Sequence, residues 1–144
     1  MTVREATVAD LPEILALTRE LAVYEELQEA LVATEEDFAR ALFSPGPVAR
    51  VSLATEEDGA VAGHALWYPT FSTFLGQPGI WLEDLFVRPA HRRRGHGRAL
   101  LEHLRSRTTG RIEWDVLDWN ERAIAFYQEL GAHPVTGWTK YRWR

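Results

Sequence analysis

The chain has 144 residues, 46% of them hydrophobic and 26% charged, which is the size and balance of one globular domain over residues 1–144. No apolar run approaches the ~18 residues of a membrane-spanning helix, so we expect no membrane partner. Cysteine is absent, which excludes disulfides and thiolate chemistry and favours a cytoplasmic location.

The formal net charge of −5 is distributed unevenly along the chain. Residues 1–87 carry four basic and fifteen acidic side chains, whereas residues 88–111 carry eight arginines and a single acidic residue. Such a basic run is typical either of a solvated helix face or of a site for a polyanionic ligand. The acidic part of the chain would attract cations.

The first half of the sequence predicts a strand, two helices and a hairpin. The strand covers residues 2–6, and capping patterns at 10–13 and 34–37 start the two helices. Apolar runs near 48–55 and 60–70 then predict two strands, with an Asp-Gly turn between them.

The second half alternates strands with helices. We predict a strand over 80–87, a helix over 95–106, a strand over 112–117, a helix over 120–131 and a last strand around 138–143. The order β-α-α-β-β-β-α-β-α-β indicates an α/β domain built on one sheet.

A basic segment joins the strand over 80–87 to the next helix, and it contains Arg92, Arg93, Arg94, Gly95, His96, Gly97 and Arg98. Its glycines let a ligand approach the backbone closely, and the helix start offers unpaired amides and a positive dipole end. We therefore predict a pyrophosphate cradle. The spacing is neither a P-loop nor a dinucleotide G-x-G-x-x-G, because position 100 is leucine. The alternative is a basic loop that touches nucleic acid, which the acidic net charge and the lack of a recognition-helix pattern disfavour.

These motifs resemble those of a known family. Arg92-x-x-Gly95-x-Gly97 is similar to the acetyl-coenzyme A signature of the GNAT superfamily of N-acetyltransferases, and residues 116–132 are similar to its final helix. Segments 20–25 and 82–87 resemble the spermidine/spermine (diamine) N-acetyltransferase group and its thialysine-acetylating relatives. The resemblance covers nearly the whole chain. It implies a mixed, mostly antiparallel sheet of six to seven strands, flanked by about four helices and splayed between the two central strands.

The resemblance also implies a binding site for acetyl-coenzyme A as co-substrate. The basic segment would hold the pyrophosphate, and the pantetheine arm would pair with the main chain of Leu85, Phe86 and Val87. The final helix would contribute the residues that face the coenzyme arm and its sulfur, which are Asn120, Ala123 and Tyr127. These three positions recur at i, i+3 and i+7 and so share one helical face. The alternative role for Tyr127 is simple core packing.

The amine site that the resemblance implies is lined by Tyr24, Glu25, Glu83, Glu113, Trp114 and Asp115. Glu83 would accept the proton of the attacking ammonium through water, and Tyr127 would protonate the departing thiolate. Strand alternation predicts that Glu83 and Asp84 point to opposite faces and form no acid–base pair, with one facing the amine and the other making a structural bond.

We therefore expect an acetyl-coenzyme A-dependent N-acetyltransferase that acts by direct attack in a ternary complex. The expected acceptor is a small di- or polyamine or an amino acid with a side-chain amine, with another small amine or a protein amine as the alternative. We expect no metal, because the spacing of His91, His96 and His103 is not a metal signature, and no nucleic acid. The family implies a homodimer. A nucleic-acid binder and a coenzyme-binding regulatory module without turnover are the non-enzyme alternatives.

Overall fold

The structure is a computed structural model that describes all 144 residues. Its regular elements in chain order are β1 (Thr2–Glu5), α1 (Leu11–Tyr24), α2 (Glu35–Phe43), β2 (Arg50–Thr55), β3 (Val61–Ser72), β4 (Gln77–Val87), α3 (His96–Arg105), β5 (Ile112–Glu113) and α4 (Glu121–Glu129). These nine elements follow the predicted order. None of the helices is both long enough and apolar enough to cross a membrane.

The strands form one sheet in the order β1-β2-β3-β4-β5. The first four pair antiparallel and β5 joins β4 in parallel, which confirms the mixed, mostly antiparallel α/β fold with four helices. The count of six to seven strands is wrong, because the sheet has five. The predicted strand around 138–143 does not form, since β5 ends after two residues and offers that segment almost no edge to pair with.

The sheet opens between β4 and β5, whereas the splay was expected between two central strands. The two strands pair only at Ile80–Ile112 and Trp81–Glu113. β4 then continues to Val87 without a neighbour on this side, while it stays paired with β3 on the other. Main-chain groups of alternate residues beyond this point lie at an open edge. Because no strand follows β5 in the sheet, this opening lies next to an edge strand and not between two central ones.

Helices cover both faces of the sheet. α1 and α2 pack on one face around Ile14, Leu17 and Leu53, and each of these side chains is completely buried. α3 packs on the other face, where Leu100 and Leu104 are likewise fully buried. Full burial of such an aliphatic side chain stabilises a fold by roughly 1.5–3 kcal/mol, so these two layers fix α1 and α3 relative to the sheet.

The two predicted helix caps have different outcomes. At α2 the Asp37 amide donates to Thr34 Oγ1 (3.2 Å) and the Thr34 amide donates to the Asp37 carboxylate (2.8 Å), which confirms the capping box. At α1 the prediction is wrong, because the Asp10 side chain accepts no hydrogen bond from that helix. Its carboxylate accepts instead from the Thr7 amide (2.8 Å) and from Arg4 (2.8 Å). Arg4, on β1, therefore occupies the carboxylate that would otherwise cap the helix.

Candidate active site

The basic segment forms a curled loop between β4 and α3. Gly95 adopts a left-handed φ of +86°, and Arg93 adopts one of +62° without being glycine. The main-chain amides of residues 93–98 donate to no acceptor in the protein. A row of free amides that ends on a helix N-terminus is a site for a phosphate or other anion.

Gly97 is required for helix packing as well as for backbone approach. A Cβ at this position would lie 3.2 Å from Cζ of Phe126 on α4, closer than most real contacts. The glycine therefore lets α3 and α4 meet closely beside the loop.

The arginines of the loop have different environments. Arg92 is half-buried, its Nε donates to the Val87 carbonyl (2.9 Å), and its guanidinium lies 5.2 Å from the Tyr24 ring centroid. Burial lowers the pKa of Arg92, with the nearby Arg122 adding to the effect. Arg92 thus fastens the loop to the end of β4. Arg93 is exposed and has no ion-pair partner, and Arg98 is exposed and pairs with Glu102 on the same helix (3.5 Å).

Glu56, at the end of β2, fixes the shape of the loop. Its Oε1 atom accepts from His91 Nδ1 (2.8 Å), His96 Nε2 (3.0 Å) and Arg94 Nη1 (3.1 Å). These hydrogen bonds, with those of the two histidines largest, lower the pKa of Glu56 to about 2. The carboxylate is therefore ionised and holds the loop from both ends. Sequence reasoning missed Glu56, because nothing local links it to a segment 35–40 residues away.

The same three ligand atoms of Glu56, His91 and His96 lie within 4.8 Å of one another, a grouping that can hold a metal ion. In a tetrahedral zinc site, ligand atoms ~2.0–2.1 Å from the metal stand about 3.3 Å apart. The observed 2.8 and 3.0 Å are shorter, and Arg94 bonds to the same oxygen. The geometry is that of a hydrogen-bonded carboxylate, and the expectation of no metal stays a prediction.

A β-bulge interrupts β4 at Glu83. Asp84 lies opposite Leu66 while Leu82 lies opposite Trp67, so Glu83 has no partner on β3. The extra residue reverses the alternation, because Leu82 packs in the α3 layer and Phe86, four positions on, packs in the α1 layer. The prediction that Glu83 and Asp84 point to opposite faces is wrong for this reason, and both carboxylates lie on the side of α1.

Asp84 is the unusual acid of this group. Burial raises its pKa to about 7, and the negative charges of Glu83 and Glu25 add to the effect. The Asp84 side chain makes no hydrogen bond, so of the two carboxylates it is Glu83 that makes the expected structural bond. Glu83 is exposed and accepts from Trp81 Nε1 (3.0 Å). Burial also raises the pKa of Glu25. The site therefore contains a carboxyl group that exchanges its proton near neutral pH.

Tyr127 faces this acidic group from α4. Its ring packs 4.9 Å from that of Trp114, and its hydroxyl has no hydrogen-bond partner in the protein. Burial, reinforced by Glu25 and Tyr24, raises the pKa of Tyr127 to about 12. The phenol therefore keeps its proton at neutral pH, as a proton donor must.

Asn120 and Tyr24 connect the two sides of the site. The Tyr24 hydroxyl donates to Asn120 Oδ1 (3.0 Å), which also accepts the Ala123 amide (3.3 Å) and so caps α4. Asn120 is 7% exposed, and only its amide nitrogen is free to contact a ligand.

The remaining predicted amine-site residues are dispersed. Trp114 contacts Tyr127, and Asp115 forms an ion pair with Lys140. Glu113 lies apart, in an open groove of about 380 Å³ that also includes Trp138. The structure therefore brings Tyr24, Glu25, Glu83, Trp114 and Tyr127 together with Asp84 and leaves Glu113 outside this group.

Known proteins show the same architecture. The model of the Acetyltransferase (GNAT) family matches residues 12–132. L-ornithine N5-acetyltransferase NATA1 of Arabidopsis thaliana is 32% identical over 94% of this chain and 81% of its own. Thialysine N-epsilon-acetyltransferase of Bos taurus is 34% identical over 97% of this chain and 90% of its own. The structure of a mutant BH1408 protein from Bacillus halodurans superposes with a TM-score of 0.78 at 25% identity and covers both chains completely.

The opening of the sheet between β4 and β5 (the wedge), the loop of free amides and these matches together define an acetyltransferase. The chain belongs to the GNAT acetyltransferase family and is an N-acetyltransferase, an enzyme class that uses acetyl-coenzyme A as co-substrate.

Proposed function

We propose that this enzyme acetylates the primary amine of a small cationic acceptor, either an amino acid with a side-chain amine or a di- or polyamine. The observation that carries the proposal is the group of Asp84, Glu83 and Glu25 beside the protonated Tyr127 at the opening of the sheet. Two relatives are named for ornithine and thialysine, which are amines of this kind.

The loop and the wedge would hold acetyl-coenzyme A. The free amides of residues 93–98, with Arg93 and Arg98, would bind the pyrophosphate. The open edge of β4 over Leu85, Phe86 and Val87 would pair with the amides of the pantetheine arm, and Asn120 and Ala123 would face that arm from α4. The thioester would then lie between β4 and Tyr127.

Asp84 would take the role that sequence analysis gave to Glu83. An alkylammonium has a pKa near ~10.4 and must lose a proton before it attacks. A carboxylate whose pKa is about 7 is a better acceptor of that proton than one with an ordinary pKa, because the optimum lies near the working pH. Glu83, which is exposed, would attract and orient the incoming cation.

Attack of the free amine on the thioester carbonyl would form the new C–N bond. A main-chain amide at the open edge of β4 would stabilise the negative oxygen. The C–S bond then breaks, and Tyr127 would protonate the thiolate as it leaves. The attacking nitrogen loses its second proton as the amide forms, and this proton would return through water to the Tyr127 phenolate. The proton on Asp84 would leave to solvent. The amine attacks the thioester directly, so no covalent enzyme intermediate forms.

A panel of amines assayed by release of the free thiol tests this proposal. Diamines and amino acids with side-chain amines should outperform neutral aromatic amines. Rising salt should raise the KM for these cationic acceptors, because it screens the electrostatic attraction. If neutral aromatic amines are the better acceptors, the cationic acceptor class is wrong and only the acetyltransferase assignment remains.

We also propose a homodimer that works in the cytoplasm. Phe74, Trp138 and Trp143 are at least 85% exposed, and aromatic side chains of this size commonly mark a protein interface. Light scattering on the purified chain tests the dimer, since a mass of 16.4 kDa would contradict it. Cell fractionation tests the location.

A further inference from the structure

Lys140 is the only lysine in the chain, and its contacts place its ammonium group at the edge of the proposed acceptor site. It forms an ion pair with Asp115 and lies 5.7 Å from the ring centroid of Trp81. Both partners contact residues of the proposed reaction: Trp81 contacts the carboxylate that would orient the cation, and Asp115 adjoins the residue that packs on the proposed acid. Trp81 donates to Glu83 (3.0 Å), and Trp114, the neighbour of Asp115, packs on Tyr127.

An ammonium group between a carboxylate and an aromatic ring is held as a small amine ligand would be held. Here the protein supplies that cation itself. Lys140 neutralises Asp115, which the family resemblance had placed in the amine site. The far end of an acceptor that reaches this edge therefore meets a positive charge instead of a negative one.

We propose that Lys140 determines acceptor specificity by favouring amines whose far end carries a carboxylate over amines whose far end carries a second ammonium. The inference rests on the proposed function. A distal carboxylate pairs with Lys140, whereas a distal ammonium must displace Lys140 from Asp115. The favoured acceptor is then an amino acid with a side-chain amine, and the diamine of the same length is disfavoured.

The effect should be modest, because the side chains of Lys140 and Asp115 are 61% and 58% exposed. Exposed ion pairs contribute little each, and here attraction and repulsion change together. We therefore expect loss of the charge to change the preference by about three- to tenfold.

The test uses two matched pairs of acceptors, lysine with cadaverine and ornithine with putrescine. The members of each pair differ only in the α-carboxylate. The measured quantity is the ratio of kcat/KM for the amino acid to that for the diamine. It is compared in the wild type, Lys140→Gln and the charge-conserving Lys140→Arg. Intact mass before the assay verifies that Lys140, itself a primary amine, is unacetylated.

The ratio should fall about three- to tenfold in Lys140→Gln, hold in Lys140→Arg, and depend on salt only while the charge is present. Arg142→Gln is the matched control, since it removes a positive charge from the same segment but not from Asp115. An unchanged ratio in Lys140→Gln, or an equal fall in Arg142→Gln, overturns the role of Lys140 and leaves the proposed function intact. Failure of the wild type to acetylate any of the four acceptors overturns the proposed function instead.

Discussion

His64 makes the stability of this enzyme depend on pH. The side chain is fully buried on β3, where Leu53 and Phe86 are its neighbours across the sheet, and neither ring nitrogen has a hydrogen-bond partner. Burial, with the charge of Arg88 adding to it, lowers the pKa of His64 from 6.5 to about 4. The folded protein therefore keeps the ring neutral at pH values where the unfolded chain binds a proton.

The size of the effect follows from the two pKa values. One pKa unit corresponds to about 1.36 kcal/mol, so the difference between 6.5 and about 4 corresponds to about 3 kcal/mol. Because the folded pKa is the lower one, the unfolded chain binds the proton first as the pH falls. The free energy of unfolding is therefore unaffected by protonation of His64 above pH 6.5 and falls by up to this amount as the pH approaches 4. Asp84 acts in the opposite direction, since its folded pKa of about 7 exceeds the ordinary 3.8 and its contribution is lost as the pH rises. The contribution of His64 is therefore measured as the difference in free energy of unfolding between the wild type and a variant without this histidine.

The experiment compares urea unfolding of the wild type and His64→Leu from pH 7.5 to 4.5. At pH 7.5 the variant should be at least as stable, because two buried nitrogens without partners are removed. Its advantage in free energy of unfolding should grow by about 2–3 kcal/mol toward pH 4.5. His133→Leu, at an exposed position, is the control. An advantage that stays constant across this pH range would refute the reasoning.

Three further predictions concern the site. Asp84→Asn should lower kcat by about 10²- to 10⁴-fold and remove the acid limb near pH 7 from the rate profile. The same substitution should stabilise the fold at pH 8, because it removes a buried negative charge. Retained turnover would exclude Asp84 as the base. Tyr127→Phe should lower kcat toward the smaller end of that range, because water can protonate a thiolate, while calorimetry finds coenzyme affinity little changed. Full turnover at every pH would leave Tyr127 as a packing residue. Glu56→Gln should raise the KM for acetyl-coenzyme A and preserve kcat, because it loosens the loop but not the wedge, and Glu57→Gln is its control. A fall in kcat at unchanged KM would contradict that role.

Much of the fold could be predicted because its signals are local. The capping box at Thr34, the glycines of the loop and the apolar run of β4 each specify a conformation over a few residues. The order of nine elements follows from such signals. The missing strand around 138–143 is different, since pairing depends on the partner edge, and β5 stops after two residues.

The site was only partly predictable, because some of its features depend on contacts between segments that are far apart in the sequence. Tyr127 and Glu25 could be placed from their segments, but the bulge at Glu83 depends on the register of β3 against β4. One unpaired residue there moves Asp84 to the side of Glu25 and changes which acid holds a proton near neutral pH. Glu56 reaches the loop only through tertiary structure, which no spacing rule anticipates.

The single lysine also gives the enzyme a natural chemical handle. An amine-reactive fluorophore or cross-linker finds one side-chain target, Lys140, apart from the α-amino group of Met1. A probe placed there sits beside Trp81, whose indole can quench it or transfer energy to it. Binding of an acceptor at the proposed site beside Lys140 should then change the fluorescence of a small probe without any engineered residue, whereas a resin coupled through lysine would block that proposed site.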